Sequence, residues 1–148
     1  MINNFKGYYA FLSNFYVINI TIEGKLWRTS EAMYMSCKTT NANDRELIRL
    51  ADTAGQAKRI GRKVTLRPDW ESIKDEVMLR CLRRKFTTNQ ECKEKLMATI
   101  NHELVEGNYW HDNYWGNCKC NKCIHKVGVN KLGKLLMQIR AELLQLRS

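Results

Sequence analysis

The chain has 148 residues, of which 44% are hydrophobic, and it contains one proline and eight glycines. This composition excludes a disordered or low-complexity protein, and the length predicts a single domain over residues 1–148 with a substantial core. The formal net charge of +10 favours anionic partners such as nucleic acid, nucleotides or phosphorylated metabolites. The interrupted apolar N-terminus predicts neither a signal peptide nor a membrane span.

The first quarter of the chain predicts a β-hairpin. Isoleucines at positions 18, 20 and 22 alternate with polar residues over 17–22. Glu23 and Gly24 then form a turn, and residues 25–28 return as a second strand. A small antiparallel sheet is therefore expected near the N-terminus.

Helix signals dominate after this hairpin. Ser30 is a candidate N-cap for a helix that reaches residue 37 or 38, and residues 44–51 predict a short helix. Thr53 and Gln56 have the spacing of a capping box for a third helix, which Gly61 ends.

Three further helices complete the prediction. Pro68 suits the first position of a long helix with an apolar face of Trp70, Ile73, Val77 and Cys81. Thr88 and Glu91 predict a capping box for a helix ending near residue 98. Asn130 is a candidate cap for the last helix, whose leucines recur at helical spacing. The fold class is therefore α+β and mostly helical.

The segment NYWHDNYWG, over residues 108–116, combines aromatic and charged side chains without helical or strand periodicity. Trp110 and Trp115 offer flat faces, and Asp112 between them offers a carboxylate, an arrangement that suits a sugar or nucleobase ligand. The alternative is a loop whose aromatic side chains simply cap the core.

Five segments taken in order resemble the NADAR family of YbiA-like N-glycosidases, from about Gly7 to Leu143. They are FLSNFYVINITIEGKLWRTSEAMY, AGQAKRIGR, RPDWESIKDEVMLRCLRRKF, LVEGNYWHDNYWG and VNKLGKLLMQIRAEL. The resemblance implies hydrolysis of a ribosyl C1–N bond without a redox cofactor. The substrates that it implies are riboflavin-pathway intermediates or ADP-ribose attached to a base.

The resemblance points to two carboxylates for catalysis. Cleavage of a ribosyl C–N bond passes through an oxocarbenium-like state, which nearby negative charge stabilises. Glu31 matches the glutamate of the family's S-E block, and Asp112 matches the aspartate of its D-x-x-W-G pattern. The alternative for Glu31 is a first-turn glutamate that only complements the helix dipole.

A lysine is a candidate nucleophile, because an amine can attack C1 and form a Schiff base after the sugar ring opens. Lys58, in the block QAKRIGR, is the first candidate. Lys38 is the second, since it follows Glu31 by about two helical turns. The alternative for either lysine is an ordinary solvated surface charge.

Further residues match family positions expected to bind substrate. Trp115 is a candidate surface for stacking of the substrate, and Gly116 beside it is a further candidate contact. Trp70 is a second aromatic candidate, which helical spacing would otherwise place in the core. Asn14 and Asn130 match family asparagines, which either donate to phosphate or ribose oxygens or cap local structure.

The sequence departs from the family near Glu31 and after Gly116. Ala32 stands where the family has a histidine, so binding of ADP-ribose without cleavage is an alternative. Residues 116–129 replace the expected glycine-rich loop.

This replacement loop carries Cys118, Cys120, Cys123 and His125, a set that could bind one structural zinc ion. The alternatives are free thiols or a basic loop that grips a ligand. Without an export signal, the six cysteines predict a cytoplasmic protein with reduced thiols or metal ligands. Cys37, Cys81 and Cys92 fall within predicted helices and are expected to be core residues.

Two functions of different class follow from the sequence. The first is an N-glycosidase acting on an N-ribosyl or ADP-ribosyl substrate, with DNA or RNA as a carrier of the modified base. The second is a non-catalytic module that binds ADP-ribose or nucleic acid and has a zinc-stabilised loop. Two groups of basic residues favour a polyanionic substrate. One group flanks the aromatic segment, and the other lies on one predicted helix: Lys119, Lys122 and Lys126, and Arg80, Arg83, Arg84 and Lys85.

Overall fold

The computed structural model describes residues 1–147, which form two compact units. We call Asn14–Gln90 the hairpin unit, and Met1–Ser13 with the chain from Glu91 onward the terminal unit. The helices of the hairpin unit are α1 (Ser30–Ser36), α2 (Ala42–Arg49), α3 (Ala54–Gly61) and α4 (Trp70–Thr88). The next helix, α5 (Gln90–Ala98), starts at the last residue of the hairpin unit and otherwise belongs to the terminal unit. The remaining elements are a 3-10 helix (Gly7–Leu12), β1 (Ile20–Ile22), β2 (Lys25–Trp27), β3 (Gly107–Asn108), β4 (Asn117–Cys118) and α6 (Lys131–Arg147). The predicted α+β, mostly helical class is confirmed.

The predicted hairpin is present and opens the hairpin unit. β1 and β2 pair antiparallel, with Ile20 opposite Trp27 and Ile22 opposite Lys25. Glu23 and Gly24 have positive φ angles of 51° and 81°, the combination of a two-residue turn whose twist matches that of the strands. The hairpin therefore forms where the alternating pattern and the Glu-Gly pair predict it.

Thr29, and not the predicted Ser30, caps α1. The Thr29 hydroxyl accepts a hydrogen bond from the backbone N–H of Ala32 at 3.1 Å. Thr29 has the extended backbone that an N-cap requires (φ −142°, ψ 156°), whereas Ser30 is already helical. The correction moves the helix start by one residue and leaves Glu31 in the first turn.

The capping box predicted for α3 is present in a modified form. The Thr53 hydroxyl accepts from the backbone N–H of Gln56 at 3.1 Å. The Gln56 side chain accepts in return from Asp52, one residue before the cap, at 2.9 Å. α2 begins at Ala42, two residues earlier than predicted, because the Asn41 side chain accepts from the backbone N–H of Asp44.

The boundaries of α4 differ from the prediction at both ends. The helix begins at Trp70, after Pro68, and runs through Thr88. The Thr88 hydroxyl donates to the carbonyl of Arg84 at 2.5 Å, so Thr88 ends one helix and does not cap the next. Serine and threonine hydroxyls bond back to a preceding turn as readily as they cap a following one, and sequence spacing does not separate the two roles.

The terminal unit contains short parallel pairings that the sequence analysis missed. β3 and β4 pair in parallel, with Gly107 opposite Asn117 and Asn108 opposite Cys118, and an isolated bridge joins Ile2 to Leu104. Two-residue strands carry no readable alternation. Among residues 1–147, no helix combines the length and apolar character that crossing a bilayer would require.

Asn130 precedes α6 but its side chain does not cap that helix, contrary to the prediction. Its amide oxygen accepts from the backbone N–H of Glu106 at 3.0 Å, and its amide nitrogen donates to the carbonyl of Leu104 at 2.9 Å. The residue has a positive φ of 55°, which asparagine tolerates better than most residues. Asn130 therefore fixes residues 104–106 against the start of α6.

Candidate active site

Glu31 is the best-defined candidate catalytic residue of the hairpin unit. It lies in the first turn of α1 and is buried, with 7% of its surface exposed. Its backbone N–H donates to the carbonyl of Asn14 at 3.0 Å. A buried carboxylate at a helix N-terminus receives the favourable end of the helix dipole, which suits an electrostatic stabiliser.

Asn14 holds this first turn in place. Its amide oxygen accepts from the hydroxyl of Ser30 at 2.8 Å, and its amide nitrogen points to the sulfur of Met78 at 3.4 Å. The side chain is buried, so the structure gives it a positioning role beside Glu31. The predicted contact of Asn14 with substrate stays a prediction.

Lys38 lies close enough to Glu31 for the two charges to interact. Burial lowers the pKa of the Lys38 ammonium, the Glu31 carboxylate partly offsets this, and the nearby cations Arg62 and Lys58 lower it further. The backbone of Lys38 is fixed, because its carbonyl accepts from the N–H of Arg67 at 2.9 Å. An amine with a lowered pKa is a better nucleophile near neutral pH.

Lys58 fits the nucleophile's requirements less well. It lies in α3, and its Nζ is 5.9 Å from the centroid of the Phe15 ring. A cation–π contact of this kind gives the ammonium group an aromatic partner within the protein. We therefore take Lys38 as the first candidate to test, and the nucleophilic role of Lys58 stays a prediction.

Trp70 is part of the packed interior of the hairpin unit. Only 4% of its surface is exposed, and its ring lies 5.2 Å from that of Tyr34 with an interplanar angle of 56°. Little of the indole is left for a ligand to stack on. Of the two sequence interpretations of Trp70, the structure favours the core residue.

Cys37 and Cys81 form a thiol pair that the sequence analysis treated only as core. Cys37 ends α1 and lines a cavity of about 440 Å³ with Trp27, Arg45 and Cys81. A hydrogen bond from Cys81 is the largest cause that lowers the pKa of Cys37 to about 6, and Arg45 adds to it, while burial opposes both. The pKa of Cys81 is raised by the same pairing and by burial.

This pair predicts an unusually reactive thiol. The thiolate is the nucleophilic form, so alkylation of Cys37 should rise as the pH passes through about 6 and level off near neutrality. An ordinary thiol continues to gain reactivity up to its pKa of about 8.5. Peptide mapping after timed iodoacetamide treatment measures this, and Cys81→Ala should move the midpoint upward. A Cys37 midpoint in the ordinary thiol range would contradict the assignment.

The segment of residues 108–116, which we call the aromatic loop, belongs to the terminal unit. Asp112 shapes it, because one carboxylate oxygen accepts from the backbone N–H groups of Tyr114 (3.1 Å) and Trp115 (2.8 Å). The Trp115 and Tyr114 rings meet edge to face with their centroids 5.0 Å apart. Trp110 is 56% exposed, so this side chain does not cap the core.

Asn108 anchors the aromatic loop and was missed by the sequence analysis. Its amide nitrogen donates to the carbonyl of Asp112 at 2.8 Å, and its amide oxygen accepts from the backbone of Trp110 and Asp112. The side chain is buried, with 1% exposed. The only sequence signal was an asparagine at the start of an irregular segment, a residue type that often bonds to nearby backbone.

Gly116 ends the aromatic loop in a crowded position. A Cβ atom there would lie 2.1 Å from the Glu106 carbonyl oxygen and 2.8 Å from the Asn108 amide nitrogen. The Gly116 carbonyl also accepts from the backbone N–H of Asn130. Close backbone approach explains the glycine, and its predicted contact with substrate stays a prediction.

His111, and not the predicted His125, lies with the three cysteines of the replacement loop. The potential ligand atoms of His111, Cys118, Cys120 and Cys123 all lie within 4.8 Å of one another. His125 is exposed and is not a member of this group. His111 has a left-handed backbone (φ 69°), which sequence spacing does not predict.

The predicted basic surface is smaller than the sequence suggested. Lys85 is fully buried, with its Nζ 5.0 Å from the centroid of the Phe86 ring, so it does not belong to a basic surface on α4. Lys119 donates to the Asn3 carbonyl at 2.7 Å. Lys122 and Lys126 are exposed on the terminal unit, and Arg80 and Arg84 are exposed on α4.

Comparison with known proteins shows the family of the chain. N-glycosidase YbiA of Escherichia coli is 39% identical over 137 residues, covering 91% of this chain and 82% of YbiA. The NMR structure of YbiA matches with a TM-score of 0.82 and 34% identity, over 99% of this chain and 89% of that chain. A riboflavin biosynthesis protein of Vibrio vulnificus is 36% identical over 137 residues, which are 91% of this chain and 36% of the longer relative. Residues 3–144 match the model of the NADAR domain, and the chain therefore belongs to the NADAR family.

Proposed function

We propose that this protein is an N-glycosidase that hydrolyses a ribosyl C1–N bond. The observation that carries the proposal is the buried Glu31 carboxylate with Lys38, an amine of lowered pKa, within its electrostatic range. The name N-glycosidase borne by the E. coli relative supports the same reaction class. The proposed reaction needs water and no redox cofactor.

The two groups divide the chemistry between them. As the bond from C1 to the base nitrogen breaks, positive charge develops on C1 and the ring oxygen, and the Glu31 carboxylate stabilises it. The neutral amine of Lys38 attacks C1, and the base leaves with the bonding electron pair and takes up a proton. Ring opening then gives a Schiff base between Lys38 and the sugar, which water hydrolyses to release the ribosyl product.

Asp112 and Trp115 keep their proposed roles as a second carboxylate and a stacking surface. The hydrogen bonds from Tyr114 and Trp115 to one carboxylate oxygen fix the orientation of Asp112. Trp115 is half-buried and held edge to face against Tyr114, which orders the ring. An ordered aromatic face reduces the conformational entropy that stacking a ligand would cost.

For the substrate we propose ADP-ribose attached to a nucleobase in DNA or RNA. The net charge of +10 and the exposed cations Lys122, Lys126, Arg80 and Arg84 support a polyanion. A phosphorylated N-ribosyl metabolite is the second candidate, favoured by the name of the Vibrio relative. Such a small substrate needs only one or two cations.

The substrate experiment compares ADP-ribosylated DNA, an ADP-ribosylated mononucleotide and riboflavin-pathway intermediates, with mass spectrometry of the released ribosyl products. We expect the DNA substrate to be cleaved fastest, with a rate at subsaturating substrate that falls steeply as salt is raised. The mononucleotide should be slower and nearly insensitive to salt.

Equal rates on DNA and mononucleotide, unchanged by salt, would contradict the polyanion assignment and favour the metabolite. A folded protein that binds ADP-ribose but releases no product from any substrate would contradict catalysis. That outcome would favour the alternative of a non-catalytic ADP-ribose- or nucleic-acid-binding module.

A further inference from the structure

We propose that His111, Cys118, Cys120 and Cys123 bind one zinc ion, which ties the aromatic loop to the cysteine-containing segment that follows it. All four residues belong to the terminal unit. Cys118 and Cys123 are buried, with 2% and 3% of their surfaces exposed, whereas His111 is exposed. The proposal is independent of the reaction that the protein catalyses.

The distances from the imidazole nitrogen to the three sulfurs fit a tetrahedral metal site. The Nδ1 atom of His111 lies 3.3 Å from the Cys120 sulfur, 3.4 Å from the Cys123 sulfur and 4.0 Å from the Cys118 sulfur. In a tetrahedral site, Zn–S bonds of about 2.3 Å and a Zn–N bond of about 2.0 Å place nitrogen and sulfur about 3.5 Å apart. The three measured distances scatter around this value.

Hydrogen bonding alone does not account for this arrangement. The Nδ1 atom has one in-plane direction for a hydrogen or a lone pair, so it forms one good hydrogen bond at a time. Here three sulfur atoms surround it at comparable distances. A central cation directs all four ligand atoms to one point and gives each of them a partner.

Local backbone contacts hold the ligands in this arrangement. The backbone N–H of His111 donates to the Cys118 sulfur at 3.3 Å, a contact of the kind that stabilises a metal-bound thiolate. The backbone N–H of Cys118 donates to the Asn113 side chain at 2.9 Å. The backbone N–H of Cys123 donates to the Cys120 carbonyl at 3.0 Å. This turn brings the last two cysteines close together.

The ligand types select zinc and a structural role. Three thiolates and one imidazole are soft or borderline ligands, which favour zinc over magnesium or calcium. Four protein ligands leave no open position for water, so the site is structural and not catalytic. Three thiolates and Zn²⁺ carry a net charge of −1, which the cations Lys122 and Lys126 of the same segment offset.

Metal binding should therefore control the order of the aromatic loop. Asp112 follows His111 directly, and the pairing of β3 with β4 brings Asn108 to Cys118. Because the ligands span only residues 111–123, metal loss should loosen this segment and leave the remaining helices folded.

The test uses the full chain without an affinity tag, purified under reducing conditions, and measures bound metal by mass spectrometry. We expect about one zinc per chain. His111→Ala and Cys120→Ala should each lower zinc retention in dilute chelator at least tenfold, and His125→Ala is the matched control that should retain it. Replacement by Co²⁺ should give thiolate-to-cobalt charge-transfer absorption that weakens in Cys120→Ala.

A second readout separates ligand loss from misfolding. Hydrogen exchange after chelation should speed up over residues 108–123 and stay unchanged in α4, and circular dichroism should retain the helical signal. Folded, reduced protein that neither carries zinc nor binds added zinc would overturn the proposal. Zinc loss in His125→Ala with full retention in His111→Ala would overturn the ligand set.

Discussion

Replacing Glu31 by glutamine is expected to slow N-glycosidic cleavage about a hundredfold or more and leave the protein folded. The substitution removes the negative charge and keeps the size of a buried side chain in the first turn of α1. Loss of one such electrostatic contribution raises the barrier by about 3 kcal/mol, which is about a hundredfold in rate. Initial rates on ADP-ribosylated DNA give the effect, and thermal unfolding checks the fold.

Glu71→Gln is a suitable control, since Glu71 also lies in the first turn of a helix but is exposed and paired with Lys74. It should retain normal turnover. Asp112→Asn should lower turnover as Glu31→Gln does, because the amide oxygen can still accept from the loop backbone while the charge is lost. Near-normal turnover in a folded Glu31→Gln variant would remove Glu31 from the mechanism.

The second large effect is expected from Lys38→Met, which removes the amine and keeps an unbranched apolar stem. If Lys38 attacks C1, turnover should fall at least as far as in Glu31→Gln, and borohydride added with substrate should leave a ribose-containing mass on Lys38 in the unmodified chain. Because only the neutral amine attacks, the rate should rise with pH through the lowered pKa of Lys38, below the ordinary lysine range.

Lys58→Met is the matched control for this experiment, and it should retain the adduct on Lys38. An adduct on Lys58 would restore the order of candidates that the sequence suggested. Failure to trap any lysine, with normal turnover in Lys38→Met, would indicate direct attack by water.

The sequence predicted those features that depend on local patterns. The hairpin followed from alternating isoleucines and a Glu-Gly turn, and the Thr53 cap of α3 followed from its spacing. The start of α1 was placed one residue late, because Thr29 and Ser30 are both good caps and only the backbone angles distinguish them. Family resemblance supplied the identity of Glu31, which local patterns alone would have assigned to the helix dipole.

The missed features depend on contacts distant in sequence or on irregular backbone. His111 lies with Cys118, Cys120 and Cys123 and has a left-handed backbone, whereas the sequence favoured His125, the histidine nearest to the cysteines. Lys85 follows two arginines on α4, yet helical rotation turns it into the interior beside Phe86. The position of His111 has no signal in composition or spacing. Lys85, by contrast, lies four residues after Cys81 and so continues the apolar face that helical spacing predicts for α4.

The crowding around Gly116 has a consequence for how NADAR sequences are read. The glycine of D-x-x-W-G is explained here by the Glu106 carbonyl, which leaves no room for a Cβ atom. The asparagine at 130 is explained by its hydrogen bonds to residues 104–106. A homologue that had lost its chemistry would still need both residues to fold. Their presence therefore identifies the architecture, whereas an enzyme should be distinguished from an inactive binder by the residues at positions 31 and 38.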